Sequence, residues 1–275
     1  MLLAVDIGNT NIVLGLFQDP QRDHEGGPGN QEDPGQAATL VCNWRMRTDA
    51  RMTADELALT FRGLLGEYSG KVTGISALST VPAVLRELRA MLDRYWPQLP
   101  RVIVEPGVRT GVPLLYDNPR EVGADRIINT LAAYTLYGGP AIVVDFGTST
   151  NFDVVSERGE FLGGALAPGI EISVDALATR AAQLLKVQLI RPRSVIGKTT
   201  VEALQSGLLF GFAGQVDGLV RRISAELAPS AEDGVVVVAT GGLAPLVISE
   251  SETITHHAPD LTLHGLRMVF ERNSR

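Results

Sequence analysis

The feature that most constrains the fold of this chain is a short sequence that occurs twice, about half a chain apart. Val5-Asp6-Ile7-Gly8-Asn9-Thr10 resembles Val144-Asp145-Phe146-Gly147-Thr148-Ser149, and the two aspartates are 139 positions apart in a chain of 275 residues. Each aspartate ends an apolar run, precedes a glycine and small polar residues, and is followed by a second apolar run. Apolar runs joined by a tight, glycine-containing turn are typical of β-hairpins. The repeat therefore predicts two lobes of related fold, each built on such a hairpin.

The rest of the chain alternates between short apolar runs and segments of helical periodicity. Thr53 followed by Glu56 is a capping-box pattern that predicts the start of one helix. Gly211 and Gly214 favour an interruption of the longest helical segment. Alternating strands and helices predict an α/β fold. The expected strands are 2–17 (a strand pair), 40–46, 72–78, 101–105, 141–145, 152–155 and 235–239; the expected helices are 53–68, 82–95, 127–137, 170–185 and 199–226.

Charge and cysteine content narrow the class of protein. The chain has 24 Lys and Arg against 31 Asp and Glu, a formal charge of -7. Because nucleic acid is bound mainly through basic surfaces, we expect no nucleic-acid partner. No apolar run reaches the ~20 residues of a membrane-spanning helix, so we expect no membrane partner. Cys42 is the only cysteine, which excludes a disulfide within the chain and fits a cytoplasmic protein.

The segment from Gln18 to Ala38 differs from its surroundings. It contains Gly26-Gly27-Pro28-Gly29 and Asp33-Pro34-Gly35 and has almost no large apolar residue. Such a composition cannot bury enough apolar surface to fold tightly. We predict a surface loop between two strands that is dispensable for the fold.

The first aspartate turn carries groups suited to a phosphate. Asp6 at a strand end could hold a magnesium ion through water, Gly8 lets the backbone come close, and Asn9, Thr10 and Asn11 offer donors. The alternative is a turn in which Asp and Asn only cap the hairpin. The recurrence of the pattern at Asp145 favours phosphate binding. A third glycine-containing strand end, Thr240-Gly241-Gly242, is a candidate for the nucleoside.

A second candidate site is Gly123-Ala124-Asp125-Arg126, which opens a helical segment. Asp125 could be a base for a hydroxyl proton and Arg126 a partner for a carboxylate. The residue pattern is equally that of a helix start with a favourable N-terminal charge. There is no Walker sequence, because Gly197-Lys198-Thr199 lacks the upstream glycine spacing, and no Gly-x-Ser-x-Gly turn.

Taken in order, these motifs resemble one family, the type III pantothenate kinases of the superfamily that includes actin, sugar kinases and the Hsp70 ATPase. The resemblance runs from Asp6 to the Leu263–Arg267 region. It implies an α/β fold with two ribonuclease H-like lobes of the actin/Hsp70 ATPase type and a nucleotide cleft between them. We place the lobes at residues 1–118 and 119–275. The implied reaction is ATP-dependent phosphorylation of pantothenate to 4′-phosphopantothenate, the first step of coenzyme A biosynthesis.

The resemblance also implies roles for individual residues. Asp125 would be the general base, Asp6 would hold magnesium through water, and Asp145 would bind a monovalent cation, potassium or ammonium. A homodimer with a shared active site is implied, in which Thr200 reaches the pantothenate. The residues implied to bind ATP are Asp6, Ile7, Gly8, Asn9, Thr10, Asn11, Ile12, Val13 and Thr148; those implied to bind pantothenate are Tyr116, Gly123, Ala124, Asp125, Arg126 and Thr200.

Two other interpretations remain open at this point. One is a kinase of the same superfamily that acts on a sugar or acetate, which the set of Tyr116, Asp125 and Arg126 disfavours. The other is a nucleotide-binding regulatory or assembly protein without a small substrate. Asp125 favours catalysis, because a pure switch needs no acceptor base.

Overall fold

The computed structural model describes residues 1–18, 38–180, 187–227 and 234–274. It divides into two compact units, each discontinuous in sequence. Unit 1 comprises Met1–Thr110, Gly123–Ile128 and Thr262–Arg275, and unit 2 comprises Gly111–Val122 and Asn129–Leu261. No described helix is long and apolar enough to span a bilayer.

Unit 1 is a five-stranded sheet with helices. Its strands are β1 (Leu2–Ile7), β2 (Asn11–Gln18), β3 (Thr39–Arg47), β4 (Gly74–Ser79) and β5 (Arg101–Ile103), and its helices are α1 (Ala54–Leu65), α2 (Pro82–Tyr95), the start of α3 (Ala124–Tyr137) and most of α7 (Leu261–Asn273). A 3-10 helix, Gly66–Lys71, follows α1. The predicted capping box is confirmed: Thr53 N–H donates to Glu56 Oε2 at 2.8 Å and Thr53 Oγ1 accepts from Glu56 N–H at 3.4 Å.

Unit 2 is a second five-stranded sheet with helices. Its strands are β6 (Ala141–Phe146), β7 (Ser149–Val155), β8 (Phe161–Pro168), β9 (Val236–Thr240) and β10 (His256–His257), and its helices are the remainder of α3, α4 (Ile170–Arg180), α5 (Thr200–Leu227) and α6 (Ala244–Ile248), with a 3-10 helix at Pro119–Glu121. β8 was not predicted. A side chain at Gly164 would collide with the Phe152 carbonyl, so β8 can pair closely with β7 only because it has glycine there. The same glycines remove the alternating side chains by which a strand is recognised in a sequence.

The predicted relationship between the two halves is confirmed by the topology. The sheet orders are β3-β2-β1-β4-β5 and β8-β7-β6-β9-β10, and in both the first three strands are antiparallel and the last three parallel. Asp6 and Asp145 are each the fifth residue of a six-residue strand. Even the register shifts correspond, at Leu16/Phe17 in β2 and Val154/Val155 in β7.

Each sheet has its own apolar core. In unit 1 the buried residues come from β1, β2, β4, α1 and α2; in unit 2 they come from β6, β7, β9 and the helices α4, α5 and α6. The expected interruption of α5 near Gly211 and Gly214 is wrong, since the helix runs unbroken over 28 residues. Its apolar face, with Leu208, Phe212 and Val216, is buried. That burial outweighs the ~1 kcal/mol that each glycine costs a helix.

The boundaries of the two compact units differ from a division of the chain between residues 118 and 119. A lobe boundary at that point stays a prediction. The C-terminal helix α7 belongs to unit 1, where the hydroxyl of Ser76 donates to the Leu266 carbonyl at 2.7 Å. Gly15 and Gly74 make room for α7, because side chains there would meet Leu263 and Phe270. The loop prediction for Gln18–Ala38 falls on residues 19–37, outside the described residues.

Candidate active site

The first aspartate turn lies at the end of the β1–β2 hairpin in unit 1. Gly8 N–H donates to the Asn11 carbonyl at 2.9 Å and closes the turn. Thr48, just after β3, holds it from the side: its hydroxyl donates to the Gly8 carbonyl at 2.7 Å and its N–H to the Thr10 carbonyl at 3.0 Å. Asn9 and Thr10 are exposed. The turn is therefore fixed through its carbonyls, while polar side chains remain available to a ligand.

Asp6 and Asp125, which the sequence separates by most of unit 1, lie close enough to influence each other. Burial of the Asp6 carboxylate, together with the negative charge of Asp125, raises the pKa of Asp6 from an ordinary 3.8 to about 7. The guanidinium of Arg45 opposes this shift. A mere hairpin cap would not need a second carboxylate beside it, so the arrangement favours a chemical role.

Asp125 is positioned by the start of α3. The helix begins at Ala124, and Arg126 N–H donates to Asp125 Oδ1 at 2.9 Å. A side chain at Gly123 would approach Asp125 Oδ1 to 2.5 Å, so the glycine leaves the space that the carboxylate occupies. Asp125 therefore lies at the start of a helix, and its negative charge also raises the pKa of Asp6. The interpretation as a helix start is confirmed; the role as a base stays a prediction.

The second aspartate turn lies at the end of the β6–β7 hairpin in unit 2. Gly147 N–H donates to the Ser149 carbonyl at 3.0 Å, and Thr148 is exposed at the tip. A side chain at Gly169 would collide with the carbonyl oxygens of residues 147 and 148, so this glycine is needed for the close packing of the turn.

Gly241 lies directly against Asp145. A Cβ at this position would be 2.5 Å from both Asp145 Oδ1 and the Phe146 carbonyl oxygen, and its φ of +89° already favours glycine. Thr240 pairs with Asp145 across parallel strands, and Asn151 pairs with it on the other side. Thr240-Gly241 therefore forms one wall of the Asp145 turn; its contact with a nucleoside stays a prediction.

Two further predicted site residues, Tyr116 and Thr200, are in unit 2. Tyr116 packs against Phe161 of β8, with ring centroids 5.9 Å apart, and over Gly163. Thr200 is exposed at the first position of α5, beside Thr199, which caps the helix by accepting from Glu202 N–H at 3.1 Å. The structure brings Asp6 and Asp125 together in unit 1 and Asp145 and Thr240 together in unit 2.

The donors present suit hard cations. The Asp6 and Asp125 carboxylates repel each other, and a divalent cation would relieve that repulsion. In unit 2 the Asp145 carboxylate and the Phe146 carbonyl oxygen both pack against Gly241. Both are hard oxygen donors, the kind of ligand that a cation such as potassium takes. Within the described ranges there is no group of three or more His, Cys, Asp or Glu able to enclose a metal by themselves. Both candidate sites would need ligands from water or substrate.

Sequence reasoning missed Thr48, which holds the first turn by hydrogen bonds, and Arg45, whose charge acts on Asp6. The sequence predicts a strand that ends at Met46 and gives no sign that the next residues return to Gly8. Only the strand register reveals that proximity, because β3 pairs with β2 and β2 with β1.

Two sheets of one topology, each with an aspartate turn after its first strand, define a fold of the actin/Hsp70 ATPase type. Solved structures agree on this fold: a Baf family protein from Campylobacter jejuni, described as a putative transcriptional activator, has a TM-score of 0.58 at 17% identity, covering 99% of this chain and 98% of that one. The activator of 2-hydroxyisocaproyl-CoA dehydratase from Clostridium difficile has a TM-score of 0.54 at 11% identity, covering 98% and 94%.

Sequence comparison identifies the family. The sequence profile of type III pantothenate kinases matches residues 2–222. A type III pantothenate kinase from Saccharopolyspora erythraea is 68% identical over 273 residues, covering 99% of both chains. One from Rhodococcus opacus is 64% identical over 273 residues, covering 99% of this chain and 96% of the relative. The chain belongs to the type III pantothenate kinase family and is a kinase.

Proposed function

We propose that this chain transfers the γ-phosphoryl group of ATP to the primary hydroxyl of pantothenate, in the first step of coenzyme A biosynthesis, with Asp125 as general base. The observation that supports the assignment of roles is the electrostatic interaction between the Asp125 and Asp6 carboxylates, with Asp6 on the strand that leads into the Gly8–Asn11 turn. One carboxylate serves the phosphate side of the reaction and the other the acceptor hydroxyl.

The chemical step follows from these positions. Asp125 accepts the proton of the pantothenate hydroxyl as its oxygen bonds to the γ-phosphorus. The bond from that phosphorus to the β–γ bridging oxygen breaks, and ADP leaves with the electron pair. Such a transfer depends on in-line positioning and charge neutralisation more than on covalent catalysis. The turn residues from Asp6 to Val13, together with Thr148, bind the ATP phosphates.

Cations complete the charge balance. Asp6 would hold Mg²⁺ through water, and Asp145 would hold a monovalent cation beside Phe146. Bound Mg²⁺ supplies charge neutralisation at the β- and γ-phosphates. The protein's own part is to keep the two carboxylates close to each other and to the phosphate turn.

Pantothenate has a carboxylate at one end and the reacting hydroxyl at the other. Arg126 follows Asp125 directly and supplies the forked donor that suits a carboxylate. Tyr116, Gly123 and Ala124 line the rest of the substrate site, and Thr200 contacts pantothenate from the partner subunit of a homodimer.

The dimer proposal has support on the surface of unit 2. Several large apolar side chains are exposed there, and contiguous apolar surface marks interfaces. Ile196 is the most exposed, at 77%. The exposed set around the start of α5 and along α4 and β8 is Leu166, Ile172, Leu177, Ile190, Val195, Ile196 and Val201. We further propose that the enzyme acts in the cytoplasm without a nucleic-acid or membrane partner.

ADP release from the purified chain tests the function. With Mg²⁺ and ATP present, ADP should form only when pantothenate is added, and mass spectrometry should detect 4′-phosphopantothenate. Acetate and glucose, tested separately as acceptors, should give no more ADP than the blank. Equal ADP release with and without pantothenate would contradict the proposal and favour a nucleotide-binding regulatory protein.

A further inference from the structure

Strand register places one arginine in line with the proposed phosphate site. Asp6 of β1 pairs with Val13 of β2, and Val13 pairs with Arg45 of β3. Directly opposed residues in neighbouring strands point to the same face of a sheet. Strands are ~4.8 Å apart, so about 10 Å separates the backbones of Asp6 and Arg45. An extended arginine side chain and a carboxylate can together cross most of that distance.

The paired residues Asp6, Val13 and Arg45 lie near the end of their strands that carries the phosphate turn. Thr48, three residues after Arg45, donates both of its hydrogen bonds to the Gly8–Thr10 turn. The other end of the β2–β3 pair, where Gln18 pairs with Thr39, is at the opposite edge of the sheet. Arg45 therefore lies at the phosphate-turn end of β3.

The Arg45 side chain is exposed and has no hydrogen bond or ion pair to any residue that the structure describes. Two other arginines of unit 1 are engaged: Arg94 pairs with Asp55 at 2.8 Å and Arg101 with Asp93 at 2.5 Å. Arg45 does act electrostatically on Asp6.

The negative charges near the phosphate turn call for a positive group such as Arg45. Asp6 and Asp125 already bring two carboxylates together, and the terminal phosphates of ATP would add several further negative charges. Arg45 is the positive group whose charge reaches Asp6. A guanidinium can donate two parallel hydrogen bonds to a phosphate, which makes arginine well suited to this task.

We propose that Arg45 binds the terminal phosphates of the nucleotide held at the Gly8–Asn11 turn, and so is a specificity residue for ATP and ADP over AMP. The proposal rests on the assignment of that turn to nucleotide phosphates. It does not depend on pantothenate being the acceptor.

Nucleotide titration of three purified variants tests this role. Arg45→Met removes the charge at similar length, Arg45→Lys keeps the charge without the fork, and Arg101→Met is the control from the opposite end of the same sheet. ATP, ADP and AMP are titrated separately with Mg²⁺ and without pantothenate. Melting temperatures of all variants are compared first, and an exposed side chain predicts little change.

Arg45→Met should weaken ATP binding by about 10- to 100-fold, the worth of a charged hydrogen bond. ADP should lose a similar factor, and AMP affinity should be unchanged. Arg45→Lys should fall between Arg45→Met and the wild type, and Arg101→Met should bind all three nucleotides like the wild type.

Three results would overturn the proposal: wild-type ATP affinity in Arg45→Met, equal weakening of ATP and AMP, or a wild-type chain that binds ATP no more tightly than AMP. Pantothenate-dependent ADP release by the wild type is measured in parallel. Its absence would refute the proposed acceptor, while the titrations would still decide the role of Arg45.

Discussion

The hydroxyl of Thr48 donates a 2.7 Å hydrogen bond to the carbonyl oxygen of Gly8, from a strand end 40 residues further along the chain. The contact fixes the turn on which the phosphate donors are carried. Thr48→Val keeps the shape of the side chain and removes the donor, leaving a partly buried carbonyl without its partner. We expect kcat/KM for ATP to fall roughly two- to tenfold, the worth of one neutral hydrogen bond.

Thr48→Ser is the matched control because it retains the hydroxyl. It should restore most of the lost kcat/KM for ATP, while KM for pantothenate stays unchanged in both variants. If Thr48→Val and Thr48→Ser are equally impaired, the methyl group rather than the hydrogen bond holds the turn.

Asp6 should destabilise the protein when no cation is bound. Its folded pKa of about 7 exceeds the ordinary 3.8 because of burial and the nearby Asp125 charge. Stability from a group with a raised folded pKa is fully present below the unfolded pKa and is lost as pH rises to the folded one. The stability of Asp6→Asn relative to the wild type should therefore increase between pH 4 and 7 and level off at about 1–3 kcal/mol. This is less than the full pKa shift would give, because solvent screens a half-buried group.

Denaturant unfolding in chelator at several pH values measures this gain. Asp49→Asn, an exposed aspartate paired with Arg51, is the control and should show no comparable rise with pH. If the free energies of unfolding of Asp6→Asn and the wild type differ by a constant amount over pH 4 to 8, the pKa of Asp6 is not raised in the folded protein.

Gly123 should affect turnover because it leaves space for the Asp125 carboxylate. Gly123→Ala would bring a methyl group to 2.5 Å from Asp125 Oδ1 and so displace the proposed base. A misplacement of ~1 Å can cost about 10²-fold in rate. We expect kcat to fall by that order with little change in ATP affinity, since the turn residues are untouched.

Gly63→Ala in α1 is the control, because an added Cβ there has no neighbour within 4 Å. It should leave kcat unchanged and can stabilise the helix by up to ~1 kcal/mol. Normal turnover in Gly123→Ala would mean that the Asp125 carboxylate is not held in place by this glycine.

The sequence predicts the parts of this protein that have a local signal. The repeated Asp-Gly turns predict two related sheets because each turn and its flanking strands lie within about a dozen residues. β8 is missed because Gly163 and Gly164 remove the side-chain alternation that marks a strand. The contribution of Thr48 to the turn is missed because strand pairing between β1, β2 and β3 is non-local. The residue pattern left the role of Asp125 open between a base and a helix start, and the family resemblance implies the roles proposed for Asp125 and Tyr116.

The shared site of the proposed homodimer predicts complementation between inactive subunits. Asp125→Asn and Thr200→Arg should each be inactive, and co-expression should pair them at random. A mixed dimer then has one site with both lesions and one with neither, so about a quarter of wild-type sites should be recovered. Each parent must first be shown to dimerise. A mixture as inactive as its parents would then show that both residues serve the same site from one chain.

The proposed reaction depends on Asp125 as the base that activates the hydroxyl of pantothenate. Its most direct test is the rate of pantothenate-dependent ADP release by Asp125→Asn, measured beside its affinity for ATP. If Asp125 is the base, this variant should have near-normal ATP affinity and a kcat lowered by about 10²–10⁴, the typical worth of a general base. A folded Asp125→Asn enzyme whose kcat stays within tenfold of the wild type would contradict it.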